Sequence, residues 1–580
     1  MQVPYIPDDA PFSGDQKTWL SGFLAGLHSR SVMGGDDRGP AAAAPQTKPI
    51  DILYGTQTGN SEELANEAGT IARSKGFAPR VTALDDVSMD QLASMEQAVC
   101  VVSTYGEGEM PDNAQLFWDA LSANTAPRLD SLRYGVLALG DTSYEHFCRA
   151  GKLIDTRLEQ LGAKRLAARL DCDVDYEEPA AAWLRSTIPD AGVAVAEPPP
   201  AKPAATGWSK KNPFPATVVD NRNLSGAKSA KEIRHVAFDL ADSGMTYEAG
   251  DALGVRPTNS PELVDAWLER LGADHETTVP GKSGDETPLG ELLSTGLEIA
   301  TPSRELIEGV EPLVRNSELS HVLSAGDNEA IDKYLWGKDS LDLLNLDPSV
   351  ELDPEQVVGW LKPLQHRAYS ISSSPNAHPG EVHLTVAAVR WTANGRPHGG
   401  VCSTYLADRV PEGEQAGVFM LPNKSFRVPT DDAAPMIMVG PGTGIAPFRA
   451  FLEERRHRGA TGTNWLFFGD QTRENDFIYE QEIQEMSDSG LLTRLDLAFS
   501  RDQAEKIYVQ HRMQENGKAL YGLLEEGGHF YVCGDASRMA RDVDAALHAV
   551  VEEHGALSSD EAAEYVNTLK REKRYVRDVY

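Results

Sequence analysis

From Ile50 onward, short runs dense in Val, Ile and Leu alternate with stretches whose apolar residues recur every three or four positions. IDILYG, AVCVVSTYG, YGVLALGD and RLAARLD read as buried strands, and SEELANEAGTIARSKG, NAQLFWDALSAN and AGKLIDTRLEQLG as the amphipathic helices between them. A parallel neighbour needs a helical crossover, so this alternation predicts a doubly wound parallel sheet. Mixed strand pattern after residue 212, a helical stretch over about 258–356, then AYSISSS, EVHLTVAAVRW and GVFML separated by Gly and Pro predict a Greek-key barrel with a helical insertion. From Ala434, PMIMVG, NWLFFG, LDLAFS and HFYVCG alternate with helices and predict a second doubly wound α/β domain.

Two Pro/Ala-rich spacers, residues 34–49 and 194–207, set the boundaries. The expected division is 1–49, a helix and linker; 50–190, the first α/β domain; 191–211, a flexible linker; 212–431, the barrel with its insertion; and 432–580, the second α/β domain. In KTWLSGFLAGL, Trp19, Phe23 and Leu27 share one face, which suggests homo-oligomerisation or docking. That run is about half a membrane span and has no basic leader or cleavage site, so an unanchored, unexported chain is expected.

With 580 residues, 41% of them hydrophobic, the chain has material for several cores. Its 88 acids against 54 bases give a net charge of -34, which excludes nucleic acid and anionic membrane as partners because both need clustered positive charge. Residues 51–200 carry 24 acids and 12 bases, and residues 251–350 carry 20 and 7. Such faces serve either to dock an acceptor or as solvated, salt-adapted surface, and the sequence leaves both open. Five scattered cysteines encode neither a disulfide framework nor a metal site and point to a reducing cytoplasm.

Chemistry-bearing residues gather after these strands, at the edge where open α/β sheets bind ligands. Thr56, Gln57, Thr58, Gly59, Asn60 and Ser61 open a helix with hydroxyls and backbone N–H groups but no lysine. Such a nest holds a phosphate monoester, and the missing GK[ST] ending argues against nucleotide hydrolysis. Ser103, Thr104, Tyr105 and Gly106 form a second loop. Leu139, Gly140, Asp141, Thr142, Ser143, Tyr144, Glu145, His146, Phe147 and Cys148 form a third. Each brings a tyrosine that can lie against a planar heterocycle. Near the C-terminus, Gly440, Gly442, Thr443 and Gly444 make a glycine-rich turn that admits a pyrophosphate. Ser500, Arg501, Lys506, Ile507, Tyr508, Val509 and Gln510 assemble a cationic group at a strand end that favours the ribose phosphate of NADPH.

GTQTGNS, STYGEGE and LGDTSYEHFC resemble the FMN loops of the diflavin reductase family, and Arg367, Ala368, Tyr369 and Ser370 match its RxYS pattern. The resemblance implies FMN in the 50–190 domain, with its phosphate on residues 56–61, Tyr105 and Tyr144 against its ring, and Asp171, Asp173 and Asp175 beside it. FAD is implied in the barrel: Arg367 on the pyrophosphate through its bidentate fork, Tyr369 stacked on the flavin and Ser370 near its hydride-accepting nitrogen. Gly400, Val401, Cys402 and Ser403 resemble the second pyrophosphate loop, and Thr385, Val386, Ala387 and Trp391 the adenine-side strand. In the 432–580 domain Asp542 joins the implied NADPH set. Ser370, Cys533 and Asp578 are implied to be catalytic around the nicotinamide, with Tyr580 covering the FAD ring, and no metal is implied.

Within that family, LGDTSYEHFC, the ending KRYVRDVY and the leading KTWLSGFLAGL are most similar to the flavoprotein subunits of assimilatory NADPH-sulfite reductases. This implies a relay from NADPH through FAD and FMN to a separate sirohaem and iron-sulfur haemoprotein that makes sulfide. A reductase for another soluble haem acceptor, such as a monooxygenase, is the alternative. A non-catalytic scaffold has no need of the hydride-transfer residues.

Overall fold

The computed structural model describes residues 48–57, 59–106, 108–142, 146–191, 207–281, 285–314, 316–325 and 328–580. The helix expected at Lys17–Leu27 and residues 192–206 of the linker lie outside the described residues.

In the first domain β1 (Lys48–Gly55), β2 (Phe77–Ala83), β3 (Gln97–Ser103), β4 (Arg133–Leu139) and β5 (Lys164–Arg165) form a parallel sheet in the order β2-β1-β3-β4-β5, with β6 (Leu170–Cys172) also on β4. Helix α1 (Asn60–Ser74) buries Leu64, Ala65, Ala68 and Ala72, a helical stripe of mostly small side chains that lets it lie close to the sheet. Periodicity did not disclose β2. It is an edge strand that is half in solvent, and its Arg80 pairs with Asp51 of β1 at 2.7 Å.

The second domain contains β7 (Phe214–Asn223), β8 (Glu232–Asp239), β9 (Ala252–Arg256), β10 (Arg367–Ser370), β11 (Glu381–Ala388), the hairpin β12 (Arg390–Ala393) and β13 (Arg396–Gly399), and β14 (Gln415–Leu421). Six of these make an antiparallel sheet in the order β10-β9-β14-β7-β8-β11. Its two ends meet where Ile371 bridges Leu384 of β11, so the strand that carries RxYS is held from both sides. Between β9 and β10 a run of helices from Pro261–Leu271 to Pro354–Trp360 packs around Trp267, which is fully buried with Leu293, Ile299, Leu306 and Val357.

The third domain is a parallel sheet of β15 (Met436–Val439), β16 (Asn464–Asp470), β17 (Arg494–Phe499), β18 (His529–Gly534) and β19 (Tyr575–Val579), ordered β17-β16-β15-β18-β19. Helix α2 (Ala446–Arg458) follows the glycine-rich turn. The polar run VRDV hid β19 from the pattern of apolar positions, yet its register on β18 sets Asp578 beside Cys533.

The first domain sits against the other two through ion pairs that all run one way. Its Glu62, Asp86, Glu109, Asp112, Asp173 and Glu177 meet Lys424, Lys573, Arg541, Arg577, Lys362 and Lys210 respectively. Part of the acidic face is thus matched to cations within the chain. No helix among the described residues is long and apolar enough to cross a membrane.

Candidate functional site

The first loop is built around the start of α1. Gly59 adopts φ 89°, its N–H donates to Thr56 Oγ1 at 2.9 Å, and the Thr56 N–H donates to Asn113 Oδ1 at 2.7 Å. Gln57 and Asp112 exchange hydrogen bonds, one of them from the Asp112 N–H at 3.0 Å. Ser61 Oγ is buried on the first turn of α1 and has no partner among the described residues. An orphaned hydroxyl at the N-terminus of a 15-residue helix fits a phosphate. Thr58, Ser143, Tyr144 and Glu145 lie outside the described residues.

The second and third loops are pinned by their own backbone. The Thr104 N–H donates to Leu139 O at 2.9 Å, and Thr104 Oγ1 accepts from the Ala150 N–H at 3.1 Å. Ser103 Oγ donates to Gly55 O at 3.4 Å, and Gly106 turns at φ 52°. Tyr105 crosses to the third domain, where its hydroxyl donates to Val579 O at 2.7 Å. Lys362 gathers Asp141, Thr142 and Asp173 at 3.2, 2.6 and 3.0 Å, and Asp171 pairs with Arg169 at 2.6 Å. These two carboxylates of the acidic loop are therefore neutralised by cations. Leu139 and Cys148 are core residues, Lys152 donates to Phe147 O, and His146 and Gly140 complete the turn.

In the barrel, Ser370 Oγ donates to Asp578 Oδ2 at 2.6 Å, and Cys533 Sγ lies 3.9 Å from the same oxygen. The three residues implied to be catalytic thus meet from three separate segments. Burial, partly offset by the Ser370 hydrogen bond, raises the Asp578 carboxyl above the usual carboxylate range, and burial likewise raises the Cys533 thiol. The thiol is protonated and acts as a small neutral wall rather than a nucleophile. Tyr369 lies against Cys402, and burial pushes that thiol up to about 11. Arg367 donates to Gln365 O and His366 O and stands 3.6 Å from Glu298.

Gly400, Val401 and Ser403 begin a short helical turn, where Ser403 Oγ accepts from the Val389 N–H at 3.2 Å. On the adenine-side strand Thr385 is buried on Tyr479, hydroxyl to hydroxyl at 2.8 Å, Val386 is core and Ala387 is half-buried. Trp391 is surface-exposed, stacks on His398 with centroids 5.3 Å apart, and donates to Gly337 O at 3.0 Å.

At the glycine-rich turn, a side chain on Gly444 would come within 2.1 Å of Cys533 O, so only glycine lets the turn approach β18. Gly442, at φ 58°, opens toward Asp470 and Lys231, which pair at 2.6 Å. Asp470 Oδ2 is buried without a partner among the described residues. Ser500 and Arg501 are fixed at the strand edge by their N–H bonds to Asp470 O and Gln471 O, at 2.9 and 2.7 Å. Arg501, Lys506 and Tyr508 project into solvent, and the described residues give Arg501 and Lys506 no ion-pair partner. Ile507 is half-buried, Val509 is core, and Gln510 donates to Asp542 Oδ2 at 3.0 Å.

One cleft of about 230 Å³ is shared by the first two loops of the first domain, the RxYS strand and β19. Thr56, Gln57 and Tyr105 line it from the first domain, Ala368 and Ser370 from the barrel, and Asp578, Val579 and Tyr580 from β19 and beyond. Sequence reasoning missed Asn113, Lys231, Lys362 and Asp470. None sits in a recognisable motif, and each reaches the site from a different segment.

Family models match in the same order: flavodoxin over residues 52–183, FAD binding domain over 207–405 and oxidoreductase NAD-binding domain over 438–545. The chain is 45% identical to the sulfite reductase [NADPH] flavoprotein alpha-component of Bacillus subtilis (strain 168), an alignment spanning 97% of this chain and 95% of that one. It is 42% identical to the protein of that name from Vibrio cholerae serotype O1 (strain ATCC 39315 / El Tor Inaba N16961), over 98% and 94%. The corresponding protein of Cronobacter sakazakii (strain ATCC BAA-894) is 40% identical, over 98% and 96%. Identity of this extent across all three domains shows that the chain belongs to the family of NADPH-sulfite reductase flavoprotein alpha-components, within the diflavin reductases.

Proposed function

We propose that this chain takes electrons from NADPH and delivers them to a separate haemoprotein that reduces sulfite to sulfide. The observation that carries the reading is the shared cleft, in which the first two loops of the first domain, the RxYS strand and Asp578 face one another. When bound, FAD accepts a hydride and FMN releases electrons singly, which converts a two-electron donor into a one-electron source.

The chain's own residues bind and orient. The start of α1, with the orphaned Ser61 hydroxyl, holds the FMN phosphate. Arg367 and the turn at Gly400–Ser403 hold the FAD pyrophosphate, and Tyr369 stacks on its ring. The turn at Gly442–Gly444 takes the NADPH pyrophosphate, with Lys231 close to Gly442. Arg501 and Lys506 take the ribose phosphate. Ser370 and Asp578 fix the polar wall of the nicotinamide pocket, and their 2.6 Å hydrogen bond keeps the Ser370 hydroxyl proton pointed at the carboxylate. Tyr580 shields the pocket from water and moves aside for nicotinamide. The haemoprotein is the partner that the words alpha-component and sulfite reductase imply for the relatives. The segment Lys17–Leu27 supplies an apolar face for assembly.

Anaerobic NADPH oxidation by the flavin-loaded protein, mixed with a sulfite reductase haemoprotein with and without sulfite, tests this directly. Sulfite-dependent oxidation that yields sulfide is expected. Flavin bleaching without sulfite turnover would overturn the assignment of the acceptor.

A further inference from the structure

The seam between β11 and α2 holds a donor cluster that the electron relay does not use. His378, Glu381 and His383 each place one ligating atom within 4.8 Å of the others. Glu381 Oε2 and His383 Nε2 are 2.9 Å apart, and the two imidazole centroids are 4.2 Å apart. The His383 side chain is walled in, whereas those of His378 and Glu381 reach solvent, so the cluster has an entry side.

Two further features single this cluster out. His378 Nε2 lies 3.1 Å from the buried Glu453 carboxylate, the outer-shell partner that metal-bound imidazoles commonly hold. Charge is also in deficit: Arg449 already pairs with Glu453 at 3.0 Å and Glu482 at 2.7 Å, and the described residues give Glu381 no Lys or Arg partner. Arg222, 3.5 Å from Glu482, is balanced by Asp220, and His235 behind His383 is held neutral by burial. Asp339, Asp342 and His398 offer a similar donor set, but there Arg396 sits among them, 2.5 Å from Asp339 and 2.8 Å from Asp342. Arg449 approaches His383 only at Nδ1, at 3.5 Å.

We propose that His378, Glu381 and His383 bind one divalent transition metal of the zinc class, which clamps the barrel to α2. Two imidazoles and a carboxylate suit such a cation better than calcium or magnesium, and water supplies the fourth ligand. The metal displaces the hydrogen bond between His383 Nε2 and Glu381, and His383 binds as its neutral Nδ1–H tautomer, its ring proton moving from Nε2 to Nδ1.

Chelator-treated, flavin-loaded, full-length protein is titrated with Co2+, followed by its d–d absorption at wavelengths beyond the flavin band, and with Zn2+ by calorimetry and thermal unfolding. One Co2+ per chain and a Tm that rises with Zn2+ are expected. Glu381→Gln and His378→Gln should each weaken binding by at least about tenfold while flavin content and NADPH-dependent ferricyanide reduction hold. His378 lies in an exposed loop, so its variant remains decisive if Glu381→Gln disturbs the strand end. Absence of Co2+ absorption bands, or binding unchanged in His378→Gln, overturns the site.

Discussion

The Tyr580 phenol lies 2.7 Å from Thr443 Oγ1, so the side chain proposed to gate nicotinamide entry is bonded to the turn proposed to hold the NADPH pyrophosphate. The Tyr580 backbone is anchored separately, its N–H donating to Gly534 O and its O accepting from the Ala536 N–H, both at 3.1 Å. Tyr580→Phe keeps the ring and the anchors and removes only the phenol bond, worth about 1 kcal/mol. The ring should then yield more readily. KM for NADPH in ferricyanide reduction is expected to fall several-fold with kcat not reduced, and an unchanged KM would mean that the bond does not hold the gate.

Asp578 supports a pH prediction for the chemical step. Its carboxyl is raised by burial, so as pH falls it takes up a proton above the ordinary value of about 3.9, and the acceptor for Ser370 is lost. Flavin bleaching by NADPH in stopped flow should slow as pH falls. Asp578→Asn should slow it by about 100-fold and abolish that acid limb. A retained limb would assign the titration to another group.

These residues show why parts of the site were legible in the sequence. Ser370, Cys533 and Asp578 sit in or beside motifs whose residue types are dictated by chemistry, and the parallel sheets follow from dense apolar runs with helical periods between them. By contrast, β19 reads as polar because Arg577 and Asp578 face the cleft, and β2 because Arg80 pairs outward with Asp51. The close meeting of Lys362 with Asp141, Thr142 and Asp173 is a relation between domains. No local pattern encodes a contact between residues some two hundred positions apart.

Asp85 lines the same cleft, and burial pushes its carboxyl up to about 6. The folded carboxyl therefore holds its proton more tightly than the unfolded one, at about 3.9. Its favourable contribution is complete below about pH 4 and is lost as pH rises through 6. Asp85→Asn keeps an acceptor for the Phe117 N–H, 2.9 Å away. The variant should gain on the order of 2 kcal/mol above pH 7 and nothing at pH 4, as read by thermal unfolding at the two pH values.

Lys362 is the least exposed cation of the domain contact, with 14% of its side chain accessible, and it alone spans Asp141 and Asp173. Lys362→Glu turns both attractions into repulsions in a partly desolvated place, where charges are weakly screened. Electron transfer between the flavins should slow in this variant while bleaching of FAD by NADPH continues. The wild-type rate should also fall with added salt, and a salt-independent rate would show that these ion pairs do not hold the domains together.

Arg501 and Lys506 stand exposed at an edge fixed by the backbone bonds of Ser500 and Arg501 to Asp470 and Gln471, and their charges have no ion-pair partner among the described residues. A dianionic ribose phosphate gains charge-assisted hydrogen bonds there, each worth roughly 1.5–3 kcal/mol. NADH has no group to place among them. Arg501→Ala should therefore raise KM for NADPH by roughly 10- to 100-fold and leave KM for NADH nearly unchanged, and Lys506→Ala should act in the same direction. The double variant should approach equal use of the two nucleotides in steady-state ferricyanide reduction. If KM for NADH rises in parallel, the cluster positions the whole domain edge and does not read the phosphate.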